Sequence, residues 1–197
     1  MCNGVAVKQF PHEVALVSVQ RRQLLQLALI GVAAIFLTAC RNGVPKELKQ
    51  GDRFPDIALP SLDGYMTSFA AYPDVALVIN FWATWCEPCR REMAGLEKLS
   101  KLFPPNELRV IGVSVDSDRN SASEFSLRYK LTIPMLSDSD QALSNGILRI
   151  PAFPITYLLR RDHNIARIIV GARDWVDSEM INEIEGLLAV RRNAATS

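Results

Sequence analysis

Phe81-Trp82-Ala83-Thr84-Trp85-Cys86-Glu87-Pro88-Cys89-Arg90-Arg91-Glu92 is the stretch that decides the fold. A run of strand formers, Val75-Ala76-Leu77-Val78-Ile79, precedes it, and a helical pattern follows. A Cys-x-x-Cys pair at a strand-to-helix junction suits reversible dithiol chemistry. The start of a helix offers unpaired N–H groups and the positive end of the dipole. Both favour a thiolate, which is the nucleophile. Cys86, at or just before the first helical residue, is expected to be the exposed attacking thiol. Cys89, one turn in, is expected to be the more buried resolving thiol. Pro88 suits the first turn, where its missing N–H costs nothing. Glu87 suits the dipole but opposes a neighbouring thiolate, which predicts a less acidic Cys86 poised for reduction. Trp85 is expected to shape a substrate surface, with Phe81 and Trp82 directed to the core. A zinc site needs about four ligands. Downstream of Cys40 the chain has only this Cys pair and His163, so the redox reading stands and no metal is expected.

The stretch resembles the active site of the thioredoxin superfamily. Within it, Trp82 to Met93 resembles the membrane-anchored TlpA/ResA/DsbE branch of bacterial extracytoplasmic thiol reductases. The resemblance extends from about Lys49 to Val190. It implies an α/β, thioredoxin-like fold: a central mixed β-sheet flanked by helices, with an added N-terminal β-hairpin. Thioredoxin itself has a buried Asp six residues before its first active-site Cys, whereas this chain has Asn80. Glu92 matches an acidic residue that tunes proton transfer in the ResA-like branch. One turn beyond Cys89, it is placed to take that thiol's proton. Pro154, in Ile150-Pro151-Ala152-Phe153-Pro154-Ile155, matches the superfamily's cis-proline, and the Phe153 backbone would bind substrate peptide by strand addition. Glu87 and Pro88 complete the expected contact surface. The chain carries no metal, nucleotide or flavin motif, so no cofactor is expected and electrons must come from another protein. The resemblance implies a membrane thiol carrier of the DsbD/CcdA kind as donor. It also implies a protein disulfide as substrate, such as the haem-binding CxxCH of apocytochrome c.

Upstream, Arg21 and Arg22 precede an apolar run from Leu24 to Ala39 that ends Leu37-Thr38-Ala39-Cys40. A basic segment, an apolar segment and small residues before a cut read as a secretory signal over residues 1–39. The run is shorter than the roughly 20 residues of a spanning helix, although an uncleaved anchor is the alternative. Leu-Thr-Ala-Cys resembles a bacterial lipobox, which implies lipidation of Cys40 and an extracytoplasmic, membrane-anchored lipoprotein facing the periplasm or outer cell surface. Gln20 to Leu25 also resembles a twin-arginine export signal, although ordinary Sec export with two arginines in the basic segment is the favoured reading. Residues 40–50 read as a polar tether, 51–190 as the thioredoxin-like domain and 191–197 as a tail. The formal charge of +1 shows no basic excess to suggest nucleic acid, and no nucleic-acid partner is expected.

Within the domain, Ile57–Leu59 and Tyr65–Thr67 are expected to form a hairpin around Ser61-Leu62-Asp63-Gly64. Strand 75–81 should be central. A helix over 86–103 should present Met93, Leu96, Leu99 and Leu102 to the core, ended by Pro104-Pro105. Leu108–Val115 is a second buried strand, parallel to the first through a right-handed crossover. Helices are expected over 121–129 and 140–146, extended chain over 133–136, and an antiparallel pair over 155–159 and 165–170. His163 in the intervening turn is expected to be exposed. A last helix from Asp177 to about Val190 carries Met180, Ile181, Ile184, Leu187 and Leu188, and Trp175 reads as a packing residue.

Three other classes compete. A peroxiredoxin needs Pro seven and Thr three residues before its reactive Cys; Ile79 and Ala83 stand there. A DsbA-type oxidase or isomerase would want a strongly acidic thiol and usually a helical insert. A non-catalytic binding module would not need an intact Cys-x-x-Cys.

Overall fold

The structure, a computed structural model, describes residues 47–193. The expected signal segment, Cys40 and most of the tether lie outside the described residues. Among the described residues no helix is long and apolar enough to cross a membrane.

A five-stranded mixed sheet forms the centre, in the order β5-β4-β3-β6-β7. Its strands are β3 (Ala76–Trp82), β4 (Leu108–Ser114), β5 (Met135–Ser137), β6 (Ile155–Leu159) and β7 (Ile165–Val170). A separate two-stranded hairpin of β1 (Leu59–Pro60) and β2 (Met66–Thr67) precedes it. The hairpin is shorter than the sequence pattern predicts. Strand β3 lies between β4, its parallel partner, and β6, its antiparallel partner. All seven of its residues are buried, in keeping with a near-continuous apolar run covered on both faces of the sheet. Asn80 is the exception within that run, paired in register with Gly112 on β4 and Thr156 on β6. A Cβ at Gly112 would come within 2.4 Å of the Met135 sulfur and 3.2 Å of the Trp82 indole nitrogen, so the Met135 side chain occupies the space that glycine leaves.

Helix α1 (Glu87–Leu102) follows β3, α2 (Arg119–Arg128) links β4 to β5, and α3 (Ser178–Leu188) closes the chain. Helix α1 buries Met93, Leu96 and Leu99, each worth about 1.5–3 kcal/mol against exposure. Its last turn is capped from a distance: the Asn193 amide donates to the Leu102 carbonyl at 2.8 Å and its side chain to the Lys101 carbonyl at 3.0 Å. Asp118 and Asp177 cap α2 and α3 through their carboxylates. The 140–146 segment is one wide π-type turn, Ala142–Ile147, rather than an α-helix.

His163 differs from its expected exposure. It is 8% exposed with φ +61°, and its Nε2 donates to the Tyr72 carbonyl at 3.2 Å. The turn that carries it is folded back against the Phe54 segment, whose amide donates to the His163 carbonyl at 3.0 Å.

Candidate active site

The loop Ala83–Trp85 leaves the carboxyl end of β3 and is held from two sides. Asp116, just beyond β4 and 3% exposed, accepts the Thr84 hydroxyl at 2.7 Å and the Thr84 amide at 3.1 Å. The Ser114 hydroxyl donates to the same carboxylate at 2.8 Å. Arg90, on the first turns of α1, donates to the Thr84 carbonyl at 3.1 Å. Thr84 is thus fixed through its amide, hydroxyl and carbonyl, two residues before Cys86.

Cys86 is the N-cap of α1, and its sulfur accepts the Cys89 amide at 3.4 Å. The two cysteines are joined in a disulfide, with Cα atoms 5.3 Å apart. Pro88 lies in the first turn, and Glu87 pairs with Arg91 one turn on, both largely exposed. Cys89 is fully buried as expected, but Cys86 is only 6% exposed. The exposed group at this point is Trp85, at 63%. The Phe153–Pro154 peptide is cis. The Phe153 ring meets Trp85 edge-on, with centroids 6.0 Å apart. Gly171, at φ +84°, donates its amide to the Pro154 carbonyl at 2.8 Å and ties this loop to the end of β7.

Glu92 sits one turn beyond Cys89 and is 5% exposed. Its Oε1 accepts the Asn80 amide nitrogen at 2.8 Å. Its Oε2 accepts the Trp175 indole N–H at 3.0 Å and the Arg173 backbone N–H at 3.1 Å. Burial pushes the Glu92 carboxyl above its ordinary range, opposed by bonds from Trp175, Arg173 and Asn80 and by the Arg173 charge. A cleft lined by Arg91, Gly95, Lys98, Arg173 and Trp175 reaches Glu92 from solvent.

The structure therefore brings Cys86, Cys89, Trp85, Phe153 and Pro154 together and turns Glu92, on the same helix, towards Asn80 of β3. Sequence reasoning missed the partners of Glu92. Trp175, read as packing, is indeed fully buried, but its indole also binds the carboxylate. No local pattern marks Trp175, Arg173 or Thr156, because they reach the site through the fold. Asn80 was visible as a polar residue inside an apolar strand.

Residues 50–168 match the model of the AhpC/TSA family. The chain belongs to that family. The thiol-disulfide oxidoreductase ResA of Geobacillus kaustophilus is 28% identical over 164 residues, 81% of this chain and 94% of the relative. The thioredoxin-like protein YneN of Bacillus subtilis is 32% identical over 151 residues, 75% of this chain and 87% of the relative. Among solved structures, a thiol:disulfide interchange protein DsbE from Chlorobium tepidum superposes with a TM-score of 0.66 at 22% identity, covering 72% of this chain and 99% of that one. The fold is thioredoxin-like with a separate N-terminal hairpin, and the chain is of the TlpA/ResA/DsbE type. Its class is that of a thiol-disulfide oxidoreductase.

Proposed function

We propose that the chain is an extracytoplasmic reductase of protein disulfides that works through Cys86 and Cys89. The observation that carries this reading is the Cys86–Cys89 disulfide across the first turn of α1, with a buried carboxyl, Glu92, one turn on. Reduced Cys86, as the thiolate, attacks one sulfur of a substrate disulfide and forms a mixed disulfide. The second substrate sulfur leaves as a thiolate. Cys89 then gives its proton to the Glu92 carboxylate, and its sulfur attacks the Cys86 sulfur. The second bonding pair departs on the other substrate sulfur. The substrate has gained two electrons, the Cys86–Cys89 bond has formed, and Glu92 holds one proton, which the adjoining cleft returns to solvent. Glu87 in the first turn and the carboxyl of Glu92 both disfavour added negative charge at the dithiol, which supports reduction as the direction.

Trp85, Glu87, Pro88, Phe153 and Pro154 form the substrate surface in this reading. The donor is a membrane thiol carrier of the DsbD/CcdA kind, and the substrate is a protein disulfide such as that of apocytochrome c. Lipidated Cys40 anchors the chain after removal of residues 1–39. Residues 40–50 are the tether, 51–190 the catalytic domain and 191–197 a tail. Peroxidase chemistry is not proposed, because Ile79 and Ala83 occupy the positions where it needs Pro and Thr.

The deciding experiment is the reduction potential of the Cys86–Cys89 couple in the full chain, equilibrated against dithiothreitol or glutathione buffers. A reductase requires a value near or below thioredoxin's, about −270 mV. A value near DsbA's, about −120 mV, identifies a disulfide donor and overturns the reading.

A further inference from the structure

Among the described residues one buried polar atom of the site, Asn80 Oδ1, has no hydrogen-bond partner. Asn80 itself is 0% exposed. Both hydrogens of its Nδ2 are used, one on Glu92 Oε1 at 2.8 Å and one on the Thr156 hydroxyl oxygen at 2.9 Å. Thr156 is likewise buried, at 1%. The other carboxylate oxygen, Oε2, receives two donors, the Arg173 amide and the Trp175 indole. Neither donor can accept a hydrogen bond. A proton arriving at Glu92 therefore belongs on Oε1, directly opposite the Asn80 amide.

An ionised Oε1 needs a donor there, and a protonated Oε1 needs an acceptor. A primary amide supplies either, because a half-turn about its terminal torsion exchanges NH2 and oxygen. The Thr156 hydroxyl can follow, accepting from Nδ2 in one state and donating to Oδ1 in the other. We propose that Asn80 is a two-way positioning residue: it presents Nδ2 to the Glu92 carboxylate and Oδ1 to the Glu92 carboxylic acid, reversing together with Thr156. Glu92 then takes up and releases a proton on Oε1 without leaving its place, and every bond at the carboxyl is remade in both states. The unpartnered atom is the cost of this arrangement. It is oxygen in one state and nitrogen in the other.

An aspartate at position 80 could not do this, since it would set a second carboxylate against the first. The charged groups near Glu92 are Arg173, whose charge favours ionisation, and Arg91, Lys98 and Asp174 along the cleft. On the same helix the dithiol lies one turn back. From β3 and β6 the groups that meet Glu92 and its partner Asn80 are an amide and a hydroxyl.

This proposal rests on the reading of Glu92 as the proton acceptor for Cys89. Its test is a nuclear magnetic resonance titration of the oxidised full chain, following the Glu92 carboxyl carbon and the Asn80 side-chain amide. The Asn80 signals are expected to change with the same midpoint as Glu92. In Asn80→Ala both protonation states lose a partner, so the Glu92 midpoint is expected to move by less than about half a pH unit. A fixed donor would stabilise the carboxylate alone, and its removal would raise the midpoint by about one pH unit or more; that result overturns the proposal. If Asn80→Ala does not fold, the unmodified chain still decides, because Asn80 signals that stay constant through the Glu92 midpoint exclude the half-turn. Failure of the parent reading shows elsewhere, as an unchanged rate of Cys89 attack in Glu92→Gln.

Discussion

On one side of the Cys86–Cys89 motif stand exposed Trp85, half-buried Phe153 and cis-Pro154; on the other stands Glu92 with its partners Asn80, Trp175 and the Arg173 backbone amide, and Thr156 behind Asn80. The first group is partly open, with Trp85 63% exposed. The second is closed, with Asn80 and Trp175 at 0% and Glu92 at 5%. On the proposed reading, the open side meets a substrate through apolar rings and backbone. On the same proposed reading, the closed side handles a proton through a carboxyl bonded by Asn80, Trp175 and the Arg173 amide. One helical turn separates the two, so electron exchange at Cys86 and proton exchange at Glu92 can be altered separately. That separation is what experiment can break.

The largest effect is expected on the open side. Cys86→Ser removes the nucleophile and should abolish reduction of any disulfide. Cys89→Ser should leave the first attack intact and trap the mixed disulfide with substrate, visible as a covalent adduct by mass spectrometry. A Cys86→Ser chain that still reduces disulfides would break the assignment of the two thiols.

On the closed side the expected effect is smaller but has a distinct pH signature. General acid–base catalysis contributes about 10²–10⁴-fold, so Glu92→Gln should slow release of the mixed disulfide by at least about 100-fold. In the unmodified chain this step should speed up as pH rises through the Glu92 midpoint, and in Glu92→Gln that limb should vanish. Stability gives a second check. The carboxyl is held above its ordinary value of 4.5 by burial. Between that value and the raised one, the folded state binds more protons than the unfolded state. The contribution of Glu92 to stability is therefore full below about pH 4.5 and falls as pH rises through its folded-state value. Denaturant midpoints measured from pH 4 to 9 should show this decline, and Glu92→Gln should flatten it.

The same contrast explains what was legible in the sequence. Residues 81–92 carry the open side almost complete, because a strand, a cap and a first helical turn are local in sequence. Phe153 and Pro154 lie far along the chain, yet resemblance to a known motif reached them. The β3–α1–β4 crossover followed from two apolar runs and the helix between them. The closed side is assembled from β3, α1, β6 and the segment after β7, and no spacing rule links Asn80 to Thr156 or Glu92 to Trp175. Burial of Glu92 was equally invisible, since a glutamate in a run of Arg-Arg-Glu reads as a solvated helix face. The thiol expected to be exposed is covered for a similar reason. Cys86 is bonded to Cys89 and 6% exposed, and its place at the start of the helix marks it as the N-cap without fixing its burial. His163 shows the limit in its simplest form: Asp162 and Asn164 mark a turn correctly, but not that the turn packs against residues 54 and 72.

The smallest expected effect concerns Trp85. Its side chain is mostly in solvent, and among the described residues its aromatic contact is the edge-on pair with Phe153. Such a pair is worth about 0.5–1.5 kcal/mol when well packed, and less at an exposed position. Trp85→Ala should therefore lower stability by under about 1 kcal/mol, measured by urea unfolding. Attack on a small disulfide such as oxidised glutathione, which covers little of the surface, should change little. Attack on a folded or peptide disulfide should weaken several-fold, with the loss in KM rather than in the maximal rate, because the ring supplies contact area and takes no part in sulfur chemistry. An equal loss with both substrates would place Trp85 in control of the Cys86 thiol itself. The open side would then tune chemistry as well as contact, and the division between the two sides would fail at its exposed edge.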